Sequence, residues 1–205
     1  MAIVPDVKDW TWVLERPCPE CGYDAAVVDY DAVPAAARAN ADRLRAALNR
    51  PDARQRPRLD TWSPTEYAAH VRDVCRVFVL RVAVITGRTP VDPGIPAFDP
   101  GIADPVTGGG GPAPGRAEAA DDVPAFAAWD QDATAVADRY HEQDPAEVAE
   151  QLTEAAAAVA AAFASVPPDR RGLRARRGDG STFTVDSLAR YFLHDLVHHV
   201  HDVRG

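Results

Sequence analysis

Basic residues are scarce in this sequence. Lys and Arg number 22 against 31 Asp and Glu, a net charge of −9. A protein that grips a phosphate backbone needs a basic surface, so nucleic acid is not an expected partner. The arginines between Arg170 and Arg177 are the only dense basic stretch, and they read as a solvated loop. Long apolar runs are missing as well. None approaches the roughly 20 residues needed to span a bilayer. The first residues, with Asp6, Lys8, Asp9, Trp10 and Trp12, lack the apolar core of a signal peptide. No membrane contact is expected, and the chain reads as cytoplasmic. Cysteine is also rare. Three residues, an odd number, make no disulfide framework.

What the sequence does have is alanine and helix punctuation. Its 205 residues are 46% hydrophobic, enough for one domain with a sizeable core, and we read 1–205 as a single domain. Residues 1–33 mix aromatic, Pro and Cys residues without clear periodicity and form an N-terminal extension. A first helix is expected from Pro34, a good first-turn residue, through Ala35, Arg38, Leu44 and Leu48, ending before Pro51. Ser63-Pro64-Thr65-Glu66 is a capping box that opens a second helix carrying Tyr67, His70, Val71, Val74, Val77, Phe78 and Val82, with Gly87 at its end. Residues 88–121, rich in Pro and Gly, fit no packed element and read as a flexible insertion. The 123–143 segment is expected to be partly helical. Asp144-Pro145-Ala146-Glu147 is a second capping box and opens an Ala-rich helix that ends at Val166. Gly178-Asp179-Gly180 marks a turn, with a short hairpin possible after Leu173. A last helix runs from about Thr184 to Val203. Four long helices without a convincing strand pattern predict an all-α four-helix bundle with a long Pro/Gly-rich insertion between helices 2 and 3.

The strongest functional signal is histidine. Four of six histidines fall in the last twelve residues. His194 and His198 are spaced i, i+4, which puts both imidazoles on one helix face, about 6 Å apart along the axis. Leu188, Phe192, Leu196, Val200 and Val203 form a separate apolar arc that should face the core. On the second helix, His70 shares the inward face with Tyr67, Val74 and Val77, and an inward histidine needs a partner. One histidine on one bundle helix and H-x-x-x-H on another is a way bundles build metal centres. His70, His194 and His198 are therefore the candidate metal ligands, with His201 as alternate.

The spaced pattern Trp62-Ser63-Pro64, Glu66-Tyr67, His70-Val71-Arg72-Asp73, then Tyr191-Phe192-Leu193-His194-Asp195 and His198-His199, resembles the DinB/YfiT-like superfamily. The likeness is closest to its actinobacterial branch, where Arg16-Pro17-Cys18-Pro19-Glu20-Cys21-Gly22 and Trp129-Asp130-Gln131-Asp132 also look similar. The resemblance implies a four-helix bundle, often a homodimer. It implies a divalent metal held by one side chain of the second helix and two of the fourth, at His70, His194 and His198, with zinc or nickel the expected ion. Relatives include mycothiol-dependent maleylpyruvate isomerase and bacillithiol-dependent S-transferases. The implied function is a metal-dependent S-transferase that joins a low-molecular-weight thiol, mycothiol or a similar one, to an electrophilic small molecule. A metal-bound thiol loses its proton near neutral pH, which makes that chemistry physically reasonable. The competing reading is a non-catalytic metal-binding or stress-response protein whose site is closed by a fourth ligand, His201 or His141.

Other residues have more local readings. Asp73, Asp195 and Asp202 are placed to accept the second N–H of a ligating histidine. Arg190 is placed to hold a substrate carboxylate. Cys18 and Cys21 have knuckle or redox spacing, but a zinc site would need two more ligands. The pair therefore reads first as free or packed thiols, then as a regulatory disulfide, then as a metal pair. Cys75 reads as a small core residue.

Overall fold

The structure is a computed structural model that describes residues 8–101 and 123–204. The greater part of the predicted 88–121 insertion, from residue 102 onward, lies outside the described residues. Residues 89–95 carry no regular structure.

Five α-helices are present among the described residues: α1 Val33–Leu48, α2 Pro64–Ile85, α3 Gln131–Ala137, α4 Pro145–Ala164 and α5 Val185–Asp202. The local reasons are those read in the sequence. Pro34 sits in the first turn of α1. Ser63 Oγ accepts from the Glu66 N–H, and Glu66 Oε2 accepts from the Ser63 N–H at 2.9 Å, completing the box that starts α2. Asp144 caps α4 through the N–H groups of Ala146 and Glu147. The start of α5 carries a box of its own, Thr184 with Ser187, which the sequence reading did not name.

The all-α expectation is corrected in one respect. A small sheet is present, with strands β1 Ala125–Phe126, β2 Arg174–Arg177 and β3 Thr182–Thr184 in the order β1-β2-β3. β2 and β3 are the hairpin anticipated after Leu173, and Gly180 takes the positive φ of +96° that its turn demands. β1 pairs parallel to β2. Two residues carry no alternation, so no periodicity argument finds such a strand. Phe126, Ala175 and Phe183 turn inward from the sheet and are buried, and the sheet lies against α2 and the start of α5.

The four long helices share one core. α4 packs against both α1 and α2, and α5 packs against α1 and α2. Small residues on α4, Ala155, Ala156 and Ala160, are buried and allow close approach of its neighbours. Phe78, Phe163 and Phe192 meet at the centre with ring centroids 5.1 and 5.4 Å apart. The predicted apolar arc of α5, Leu188 to Val203, is buried throughout.

Two features position the sites described next. One is a polar network between α2 and α4. Asp73 Oδ2 accepts from Arg72 and from the Tyr140 hydroxyl, both at 2.7 Å, while Arg72 also reaches Asp138, Gln143 and Gln151. The other is the N-terminal segment, which lies along α5. The Tyr23 hydroxyl donates to the Arg190 carbonyl at 2.7 Å, and the Arg190 guanidinium donates to the Ala25 carbonyl at 2.5 Å. Arg190 also pairs with Asp186. Its guanidinium is thus engaged within the fold rather than left free for the substrate carboxylate expected of it.

Candidate metal centres

α5 carries two i, i+4 pairs offset by one residue: His194 with His198, and Asp195 with His199. Successive helix residues are about 100° apart, so the two pairs face different neighbours. Each meets different donors.

The first group is His70, Asp195 and His199, whose ligand atoms all lie within 4.8 Å of one another. His70 Nε2 stands 3.6 Å from Asp195 Oδ1, and His199 Nε2 stands 3.3 Å from the same oxygen. Donors each bound at about 2.0–2.2 Å to one ion lie roughly 3–3.5 Å apart, so these separations suit a shared cation. The hydrogen-bond account points the same way. His70 is fully buried, yet neither of its ring nitrogens has a hydrogen-bond partner, and buried Asp195 Oδ1 has none either. Buried polar atoms are nearly always satisfied. His70 lies flat against Trp129, with centroids 5.4 Å apart and planes 5° apart, and tilts against Trp62 at 5.3 Å. His199 Nδ1 donates to Asp202 Oδ2 at 2.9 Å, the carboxylate support typical of a ligating histidine.

The second group is Cys18, Cys21, His194 and His198, again with all four ligand atoms within 4.8 Å. Cys18 Sγ and His198 Nδ1 are 3.7 Å apart. His194 Nε2 is buried and has no hydrogen-bond partner. Trp10 covers both imidazoles, with ring centroids 5.5 Å from His194 and 5.0 Å from His198.

A family model described as the DinB superfamily matches residues 35–203. The chain belongs to the DinB superfamily. No curated protein and no solved structure matches it. The region this DinB chain shares with its family holds His70 and all of α5. It begins after Cys18 and Cys21, so the cysteine pair stands outside the matched region.

The predicted ligands His70, His194 and His198 are thus divided. His194 and His198 come together with the two cysteines, and His70 comes together with Asp195 and His199. The alternates are elsewhere. His201 is exposed, 6.5 Å from His198 between ring centroids, and His141 is exposed beside Glu142. Of the predicted carboxylate supports, Asp202 plays that part for His199 and Asp195 moves up to candidate ligand. Asp73 is taken by the α2–α4 network. Asp195-x-x-x-His199 was visible in the sequence beside the histidine pair. Only the partner across the bundle distinguishes the two registers.

Electrostatics follow from burial and pairing. Burial lowers the pKa of His70 and of His194, the latter to about 4, and lowers His198 too. Burial works the same way on His199, but the neighbouring carboxylates of Asp195 and Asp202 overcome it and push its pKa up to about 9. Burial alone would raise Asp195, yet His199 and His70 hold its carboxyl well below the usual carboxylate range.

Two clefts meet at Asp195. One, of about 300 Å³, is lined by Trp10, Trp62, Tyr67, His194, His198 and His199 among others. The other, of about 330 Å³, is lined by Trp129, Arg81, Arg177 and Tyr191 among others. Sequence reasoning passed over Arg81, which reads as an ordinary helix residue. It is buried between Phe78 and Phe126, its Nε has no partner, and burial pushes its pKa down to about 10. Among the described residues, no helix is long and apolar enough to cross a membrane.

Proposed function

We propose that this DinB chain is a four-helix-bundle enzyme in which His70, Asp195 and His199 hold one divalent metal ion, used to join a low-molecular-weight thiol to an electrophilic small molecule. The observation that carries the reading is the trio of buried, unpartnered ligand atoms on His70 and Asp195 beside His199, at the meeting point of two clefts. Three protein ligands leave coordination positions open. Two imidazoles and one carboxylate suit zinc, nickel or iron. An ion bound there supplies a Lewis acid that favours the thiolate over the thiol.

The chain's own residues then have definite tasks. Asp202 orients His199 through Nδ1. Trp62 and Trp129 wall His70 from water. Arg81, charged and with its Nε short of a partner, offers a guanidinium N–H to a carboxylate or similar anion on either substrate. In the reaction the thiol gives up its proton to solvent and its sulfur bonds the electrophilic carbon. The displaced electron pair leaves with a halide, or moves to the epoxide oxygen or the activating group of the alkene, which then takes up a proton. A mycothiol-type thiol is the reading most consistent with the family resemblance.

The test is conjugation of such a thiol to a panel of halide, epoxide and activated-alkene electrophiles. The expected result is turnover that depends on added zinc or nickel and stops with a chelator. It should fall about 100-fold or more in His70→Ala. Metal-independent conjugation, or none across the panel, would leave this centre without the proposed chemistry.

A further inference from the structure

We infer that Cys18, Cys21, His194 and His198 form a closed, structural zinc site that clamps the N-terminal segment onto α5. This centre is separate from the one proposed above and does not rest on it.

The cysteine half is built as a knuckle. The Gly22 N–H donates to the Cys18 carbonyl at 2.9 Å, and the Cys18 N–H donates to the Tyr23 carbonyl at 2.8 Å. Gly22 makes this tight turn at a φ of +74°, in the left-handed region that suits glycine. The turn brings the thiols of Cys18 and Cys21 to one side. The histidine half is the i, i+4 pair on α5, a rigid helical platform.

The donor set matches one ion. Zinc takes thiolate sulfur at about 2.3 Å and imidazole nitrogen at about 2.0 Å in a tetrahedron, so its ligands lie roughly 3.3–3.8 Å apart. Cys18 Sγ and His198 Nδ1 already stand at 3.7 Å, and all four ligand atoms lie within 4.8 Å of one another. Two thiolates also neutralise a divalent cation, so the filled site carries no net charge into its half-buried surroundings. His198 is 8% exposed and His194 4%, and the Nε2 of His194 has no other partner. With Nδ1 of His198 on the metal, its Nε2 faces Glu20 Oε2 at 3.6 Å and Asp202 Oδ1 at 3.9 Å, the carboxylates expected behind a ligating imidazole. Four protein ligands leave no open position, which marks a structural site rather than a reactive one. The clamp also fixes Trp10 and Glu20 at the rim of the cleft above His199.

The test uses the full chain, untagged and loaded with zinc. Titration with an organomercurial, read by a chromogenic chelator, should release one zinc for about every two thiols modified. In the cobalt-substituted protein a thiolate-to-cobalt charge-transfer band should be present. That band should persist in His70→Ala and disappear in Cys18→Ser and in His194→Ala. A cobalt-loaded wild-type protein without the band overturns the site, as does thiol modification that releases no metal. Both decisive readings come from the wild-type chain, so a variant that fails to fold does not obscure them.

Discussion

Asp73→Ala is expected to destabilise this DinB chain by about 3–5 kcal/mol, the usual cost of breaking a buried charge pair by removing one partner. Asp73 is fully buried and accepts from Arg72, Arg76 and the Tyr140 hydroxyl. Arg72 retains Asp138, Gln143 and Gln151 after the change. The Tyr140 hydroxyl is left buried with no acceptor, and Arg72 loses the paired carboxylate it grips with two nitrogens. Tyr140→Phe removes the hydroxyl along with its need, so it should cost only about 1 kcal/mol. The two changes should be non-additive, since Tyr140→Phe relieves part of the penalty in Asp73→Ala. Denaturant unfolding of the three variants checks this. A loss below about 1 kcal/mol in Asp73→Ala would show that Asp73 does not anchor this network.

Asp195→Asn is expected to weaken metal binding at the His70 centre by about 100-fold, or roughly 2.7 kcal/mol. The substitution keeps the shape of the side chain and removes the only anionic donor of the group. It also removes the carboxylate that sits 3.6 Å from His70 and 3.3 Å from His199. Competition against a chelator of known affinity reads the change. The thiolate-to-cobalt band of the other centre should be untouched. An unchanged affinity would place the ion on other ligands.

Much of this architecture was legible in the residues. The capping box at Ser63, the Asp144 cap (present without the reciprocal Glu147 bond of a full box), Pro34 in a first turn, and the apolar arc from Leu188 to Val203 are local signals, and the helices follow them. The inward position of His70 followed from the same helical arithmetic. The β1 strand was not legible, because two residues that pair only with a distant hairpin leave no periodic trace. The grouping of the ligands was not legible either. His194/His198 and Asp195/His199 have the same spacing on one helix, and helical geometry alone cannot say which pair meets α2. That depends on how α5 is rotated against α2. The cysteines posed the opposite problem. Cys18-Pro19-Glu20-Cys21 is a good half-site, but its partners lie about 175 residues further along. Only the fold of the N-terminal segment onto α5 joins them.

The most direct test of two separate centres is metal content per chain in the wild-type protein, His70→Ala and His194→Ala, each reconstituted with zinc and freed of loosely held ion. The account predicts about two equivalents in wild type and about one in each variant, and, in parallel cobalt-substituted samples, a thiolate-to-cobalt band in wild type and His70→Ala that is lost in His194→Ala. A single equivalent in wild type that both substitutions abolish would contradict it, and would return His70, His194 and His198 to one shared site.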